Sequence, residues 1–111
     1  MQTVLNEIST VQLEKTQEIL QVMADKYSRD ILSITQDTPK SALKLAQETG
    51  IPISTVYRRI QRLHDNKLVR VSGEVTHEGK KHFLYQSKVK AILSKMIGDF
   101  ITVEIVPNPS H

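Results

Sequence analysis

Six side chains with a hydroxyl or guanidinium group fall within the nine residues 54–62. They are Ser54, Thr55, Tyr57, Arg58, Arg59 and Arg62. Hydroxyl and guanidinium groups donate to phosphate oxygens and to the acceptors that bases expose in a DNA major groove. The chemistry that these residue types suggest is therefore recognition of a nucleic acid.

An apolar stripe predicts that these side chains lie on a helix. Val56, Ile60 and Leu63 stand at i, i+4 and i+7, which places them on one helical face. The opposite face would carry Ser54, Arg58, Gln61 and Arg62. We expect a helix over 54–66 that is anchored on one side, polar on the other, and capped at its start by Ser54.

A shorter helix with a sharp stop comes just before. Ala42, Leu45 and Ala46 form its apolar stripe over 41–49, and Gly50 can end it in the left-handed conformation. Pro52 then prevents the helix from continuing. The small alanines permit close approach of the next helix, so the pair predicts a helix-turn-helix.

The segment that follows predicts a β-hairpin. Two β-like runs, 68–72 and 82–86, flank a polar loop over 73–81 that contains Gly79, Lys80 and Lys81. Upstream, we expect one helix over 9–23, which begins at Ser9, and a second helix over 26–36. These elements predict an α+β winged helix-turn-helix, with three to four helices and a β-hairpin wing.

The last third of the chain admits two interpretations. Val89, Ile92, Leu93, Met96 and Ile97 follow helical spacing. Alternatively, Gly98-Asp99 forms a two-residue hairpin turn. That turn would pair Met96 with Ile101, Ser94 with Val103, and Ile92 with Ile105. We favour the C-terminal β-hairpin over a C-terminal helix, because the β-rich segment 100–106 needs a partner strand, and we expect 107–111 to be a frayed tail.

Composition narrows the function classes. The 111 residues include no cysteine, which excludes disulfides, thiol catalysis and thiolate metal sites. We find no glycine-rich phosphate loop and no nucleophile with an evident base, so we expect no enzymatic activity and no cofactor. Short apolar runs and the absence of cysteine predict a soluble, cytoplasmic protein without a membrane segment.

Charge is distributed unevenly along the chain. Residues 40–90 hold eleven lysines and arginines against four acids, whereas the rest holds four against eight. A basic centre between acidic ends suits a protein that docks one face on a polyanion. His77 and His82, with Glu74 and Glu78, are residue types that bind metals, but a flexible loop offers no rigid ligand geometry, so we predict no metal site.

These patterns together resemble ArsR-like winged helix-turn-helix transcription regulators over about 26–86. The resemblance rests on Ile31-Leu32, Lys44-Leu45-Ala46, Gly50-Ile51, the run 54–60, Leu63 and Leu68-Val69. The run 84–89 is similar to small archaeal members, in which a β-hairpin follows the wing. The resemblance implies a homodimer that binds operator DNA and often responds to a ligand or metal. Metal-sensing members use cysteines, and this chain has none.

Each candidate residue receives an expected role. Ser54, Thr55, Tyr57 and Arg58, in the first turns of the helix, are expected to read bases. Arg62 is expected to meet phosphate, and Arg59 either phosphate or an intramolecular ion pair. Tyr57 could instead pack on the preceding helix. Lys80 and Lys81 are expected to contact the DNA backbone or minor groove, although they could serve only as solubilising charge.

We therefore expect a sequence-specific transcription regulator that binds double-stranded DNA as a homodimer. Apolar residues at both ends, in 1–24 and 87–111, flank the core of 25–86 and favour dimerisation. Two rival functions stay open, a winged-helix protein-interaction module and a non-specific nucleoid-associated DNA binder. The sequence does not identify an operator or an effector.

Overall fold

The computed structural model describes residues 9–10 and 13–109. Within them lie four helices: α1 (Leu13–Ala24), α2 (Lys26–Ile34), α3 (Ala42–Thr49) and α4 (Ile53–Asp65). The strands are β1 (Ser9–Thr10), β2 (Val69–Val75), β3 (Lys81–Ser87), β4 (Val89–Ile97) and β5 (Phe100–Pro107). The α+β winged helix-turn-helix with a C-terminal β-hairpin is confirmed, and the alternative of a C-terminal helix is wrong.

Side-chain caps begin α2 and α3, the two helices directly before α4. The carboxylate of Asp25 accepts a hydrogen bond from the Ser28 backbone N–H at 3.0 Å and opens α2. The Ser41 hydroxyl accepts one from the Lys44 N–H at 3.1 Å and opens α3. Gly50, at φ 78°, ends α3 in the left-handed conformation, as its position predicts.

Helix α4 begins one residue before Ser54. Its N-cap is Pro52, which supplies no side-chain hydrogen bond, so the prediction that Ser54 caps α4 is wrong. At the other end, Lys67 adopts φ 61°, the Lys67 N–H donates to the His64 carbonyl, and the Leu68 N–H donates to the Leu63 carbonyl. This Schellman arrangement turns the chain sharply into the wing.

The wing is longer than its sequence predicts. Strands β2 and β3 pair in antiparallel register from Val69–Ser87 to Val75–Lys81, which leaves only 76–80 as the turn. The Thr76 N–H donates to the Lys80 carbonyl at 2.8 Å, and Gly79 takes φ 79°. Lys40, between α2 and α3, adds a bridge to Tyr85 that ties the wing to the helices.

The C-terminal hairpin has the predicted register. Strands β4 and β5 pair Ile92 with Ile105, Ser94 with Val103 and Met96 with Ile101. Gly98 takes φ 61° in the two-residue turn. Strand β1 pairs with β5 at Ile105 and Glu104, and α1 begins only at Leu13, so the expectation that the first helix starts at Ser9 is wrong.

One apolar core joins the helices to the base of this hairpin. Its buried members include Ile19 and Val22 of α1, Ile31 of α2, Leu45 of α3, Val56, Ile60 and Leu63 of α4, and Val103 of β5. Helix α1 therefore packs both on the helix-turn-helix and on the hairpin. The base of the C-terminal hairpin belongs to this core, whereas the tip of the hairpin projects beyond the helices.

A buried polar junction fixes the hairpin at the end of α2. The Asn108 amide donates to the Gln36 carbonyl at 2.7 Å and to the Ser87 carbonyl at 2.9 Å. Asn108 is only 3% exposed, so the expectation of a frayed tail from residue 107 is wrong at this position. Ser110 and His111 lie outside the described residues.

Candidate nucleic-acid interface

Helix α4 separates a buried stripe from an exposed polar face. Val56 and Leu63 are fully buried and Ile60 nearly so. On the opposite side, Ser54, Arg58 and Gln61 are exposed, and Thr55 and Arg62 are half-buried. The apolar stripe thus fixes the direction of the polar face, as the i, i+4, i+7 pattern predicts.

The exposed groups near the start of α4 are only lightly engaged. Arg58 Nη2 lies 3.3 Å from Thr55 Oγ1, a weak contact between two surface side chains. Gln61 Nε2 donates to Asp65 Oδ1 at 2.9 Å. An amide at this place on the face can hydrogen-bond a base edge as well as a guanidinium can. Gln61, whose helical spacing from Arg58 already placed it on this face, is therefore a further candidate.

Arg62 lies at the rim of the exposed face, towards α1. Its Nη2 donates to Oε1 of Gln21 at 3.1 Å, and this contact is exposed to solvent. The guanidinium keeps further N–H donors for other acceptors. Arg62 is thus held close to α1.

Arg59 lies on the flank of α4 that faces α2. Its Nε donates to Oδ2 of Asp25 at 2.7 Å, and the guanidinium carbon lies 5.7 Å from the centre of the Tyr27 ring. Of the two roles expected for Arg59, the ion pair is the one seen in this structure. The sequence pattern did not indicate Asp25 as the partner of Arg59, because 34 residues separate the two in the chain.

Tyr57 occupies the other flank of α4 and is 55% exposed. It lines a shallow cavity of about 250 Å³ between α4 and the wing, together with Val71, Phe83 and Tyr85. Burial raises the pKa of Tyr85, and the neighbouring Tyr57 raises it further. The Tyr57 ring therefore lies between α4 and the wing.

The two wing lysines lie beside the turn. Lys80 is exposed, and its backbone N–H donates to Thr76 Oγ1 at 3.1 Å. The Lys81 ammonium lies 5.2 Å from the centre of the Phe83 ring. Among the described residues, no group of three or more His, Asp or Glu side chains could hold a metal ion.

The segment that carries this surface is similar to a known family. Residues 23–72, from the end of α1 to the middle of β2, match a family described as a helix-turn-helix domain. The fold is a winged helix-turn-helix. No curated protein matches the chain. Because helix-turn-helix domains bind DNA in transcription regulation, the match supports DNA as the partner of this winged helix-turn-helix.

No helix in the described part of the winged helix-turn-helix and its extensions is long and apolar enough to cross a membrane.

Proposed function

We propose that the protein is a sequence-specific transcription regulator of the ArsR-like type that binds operator DNA as a homodimer. The observation that carries this proposal is the arrangement of α4, with Val56, Ile60 and Leu63 buried against the fold and Arg58 and Gln61 exposed. An α-helix fits the major groove only if its outer face is free and polar. Helix α4 meets both requirements.

Within α4, the first two turns read bases. In helix-turn-helix proteins the N-terminal residues of the second helix contact base edges. Ser54, Thr55, Tyr57 and Arg58 occupy those turns, and Gln61 follows one turn after Arg58. Arginine recognises guanine through two hydrogen bonds, whereas glutamine recognises adenine. Arg58 and Gln61 are therefore the strongest candidates for reading sequence.

Positively charged groups outside these turns contact the DNA backbone. Arg62 lies at the edge of the polar face, where a phosphate rather than a base is within reach. Lys80 and Lys81 lie at the tip of a wing that flanks the same helix. A wing in this position follows the DNA backbone or the minor groove. These groups supply affinity that depends little on sequence.

Arg59 acts mainly as a positioning residue. Its guanidinium holds the start of α2 through Asp25 and so fixes the rotation of α4 about its axis. A small rotation would move Arg58 off a base edge, because bidentate contacts tolerate little displacement. Donors of Arg59 that Asp25 does not engage can still meet a phosphate.

Dimerisation sets the length of the DNA site that the proposed regulator recognises. Two copies related by a two-fold axis would place two α4 helices in successive major grooves, about 34 Å apart. Such a protein selects an inverted repeat with half-sites one helical turn apart.

Titration of the full chain with mixed-sequence duplex at low and moderate salt tests the proposal. Affinity should fall steeply as salt rises, because each neutralised phosphate releases counterions. The absence of binding at both salt concentrations would favour a protein-interaction module. Selection from random duplexes should then yield one preferred inverted repeat, and a pool without any preferred site would favour a non-specific nucleoid-associated binder.

A further inference from the structure

We infer that two copies of the chain join through strand β4, which pairs with β4 of the second copy and continues the sheet across a two-fold axis. This inference rests on the dimer of the proposed function and names the surface that forms it. Three features of the hairpin carry it: a free edge, exposed apolar side chains and the placement of two lysines.

The outer edge of β4 is free. The order of the sheet is β1-β5-β4, and among the described residues no strand pairs with β4 on its far side. The start of β4 is engaged, because the Val89 carbonyl accepts hydrogen bonds from Gln36 and Ser87, but residues 91–97 beyond the bulge present an edge about 23 Å long. Such an edge carries unpaired backbone N–H and C=O groups, which are a template for another strand.

Apolar side chains surround this edge and are exposed to solvent. Leu93 is 47% exposed, and Met96, Ile97 and Phe100 are each about 70% exposed or more. Isolated exposed apolar side chains are common, but a cluster on a projecting hairpin marks an interaction surface. Strand β4 contains no proline, and Lys90 and Lys95 are its only charged residues.

The two lysines of β4 are compatible with a second copy of the same strand. When two antiparallel edges pair about a two-fold axis, the axis is perpendicular to the sheet, and opposed residues point to the same face. Lys90 lies in the bulge between Val89 and Ala91, and side chains alternate regularly only from there to Ile97. Within 91–97 an odd-numbered residue then opposes another odd-numbered residue, so Lys95 opposes a second lysine only if the axis passes through Lys95 itself.

The register follows from placing the axis near the middle of β4. With the axis at Leu93, Lys95 opposes Ala91 of the second copy. With the axis at Ser94, Lys95 opposes Leu93. Neither register sets like charges directly opposite each other, and both place apolar side chains from the two copies in contact.

Single-cysteine variants test the interface directly, because the natural chain contains no cysteine. Opposed residues of antiparallel strands have Cα atoms about 4.5 to 5.5 Å apart, which a disulfide can span. Under mild oxidation, a cysteine on the axis should link two chains, whereas one a residue away should be too distant. We expect either Leu93→Cys or Ser94→Cys to cross-link efficiently.

The control for this experiment is Thr102→Cys, at an exposed position on β5 that lies one strand farther from the free edge. It should cross-link slowly, at the rate of random collision. The inference would be overturned if neither β4 variant cross-linked faster than this control.

Sedimentation of the full chain gives a second, independent readout. The wild type should sediment at twice 12.6 kDa at tens of micromolar. Leu93→Lys should sediment as a monomer, because the new lysine would oppose itself or Lys95 of the second copy. Leu43→Lys replaces an exposed leucine on α3 and should stay dimeric. A monomeric wild type, or a dimeric Leu93→Lys, would refute the inference.

The outcomes separate this inference from the proposed function. A dimer that cross-links at β4 but binds no duplex would refute the proposed DNA-binding function and would still support the β4 interface. A monomer that binds duplex would refute the β4 interface and would still support DNA binding by the polar face of α4.

Discussion

The guanidinium of Arg59 meets the carboxylate of Asp25 with Nε 2.7 Å from Oδ2, and this ion pair joins α4 to the start of α2. Asp25 is also the N-cap of α2, where its carboxylate accepts hydrogen bonds from the Ser28 N–H and hydroxyl. The Asp25 side chain thus caps the N-terminus of α2 and also forms an ion pair with Arg59 of α4. The orientation of the outer face of α4 depends on it.

The stability that Asp25 supplies should depend on pH. Burial acts to raise the pKa of Asp25, but hydrogen bonds from Arg59 and Ser28 outweigh it and lower the pKa from 3.8 to about 2. A carboxyl whose pKa is lower in the folded state stabilises fully above its unfolded pKa, and this contribution is lost as the pH falls towards 2. Asp25→Asn keeps a good N-cap, so it should cost on the order of 2 kcal/mol at pH 7 through the lost charge.

Urea unfolding of the wild type and Asp25→Asn at pH 7, 5, 4 and 3 measures this effect. The difference in unfolding free energy should shrink as the pH falls below 5. Lys26→Gln, which breaks the exposed pair with Asp30, is the control and should cost less than about 1 kcal/mol. A difference that stays constant with pH would contradict the role of the Asp25 charge.

Truncation of the buried face of α4 should act on folding. Ile60 is 4% exposed, and Ile60→Ala should lower the free energy of unfolding by about 2 to 5 kcal/mol through a core cavity. Arg58→Ala, on the exposed face, should stay within about 0.5 kcal/mol of the wild type. Thermal and urea unfolding of both variants test this contrast, and equal losses would mean that the two faces of α4 are wrongly assigned.

Lys67 holds a backbone conformation that suits glycine. Its φ of 61° lies in the left-handed region, which disfavours residues with a Cβ. Lys67→Gly should therefore raise the free energy of unfolding by about 0.5 to 1 kcal/mol. Lys67→Ala removes the same long side chain but keeps the Cβ, so it should give no such gain. If the alanine variant gained as much as the glycine variant, backbone conformation would not be the cause.

The polar junction should hold the hairpin to the helices. Asn108→Ala removes the donor to the carbonyls of Gln36 and Ser87 and leaves buried acceptors without that partner. The expected cost is about 1 to 3 kcal/mol in urea unfolding. Pro109→Ala, at an exposed neighbouring position, should change stability little. A neutral Asn108→Ala would mean that the apolar core alone fixes the hairpin.

The elements that could be predicted from the sequence are those fixed by local pattern. The stripe of Val56, Ile60 and Leu63 predicted the helix and its buried face, and Gly50 predicted the end of α3. The hairpin turn at Gly98-Asp99 predicted the three pairs from Met96–Ile101 to Ile92–Ile105, because a two-residue turn fixes the register beside it. The bulge between Val89 and Ala91, which shifts the last pair to Val89–Pro107, was not predicted.

The features that were missed depend on distant parts of the chain. Asn108 bonds a carbonyl 72 residues away, and Ser9–Thr10 becomes a strand only because β5 lies beside it. Ser54 does not cap α4, because the extended conformation of Pro52 already forms the helix start. Local propensity carries no information about such partners.

Equilibrium titration of a selected operator and of mixed-sequence duplex with wild type, Arg58→Ala and Lys81→Ala, over a range of salt, tests the central claim most directly. Arg58→Ala should lose about 1 to 3 kcal/mol on the operator and little on mixed sequence, since a bidentate base contact disappears. Lys81→Ala should weaken both duplexes alike and reduce the salt slope by about one. If the two variants behaved identically, or if the wild type bound neither duplex, the assignment of α4 as the reader and the wing as the backbone contact would be contradicted.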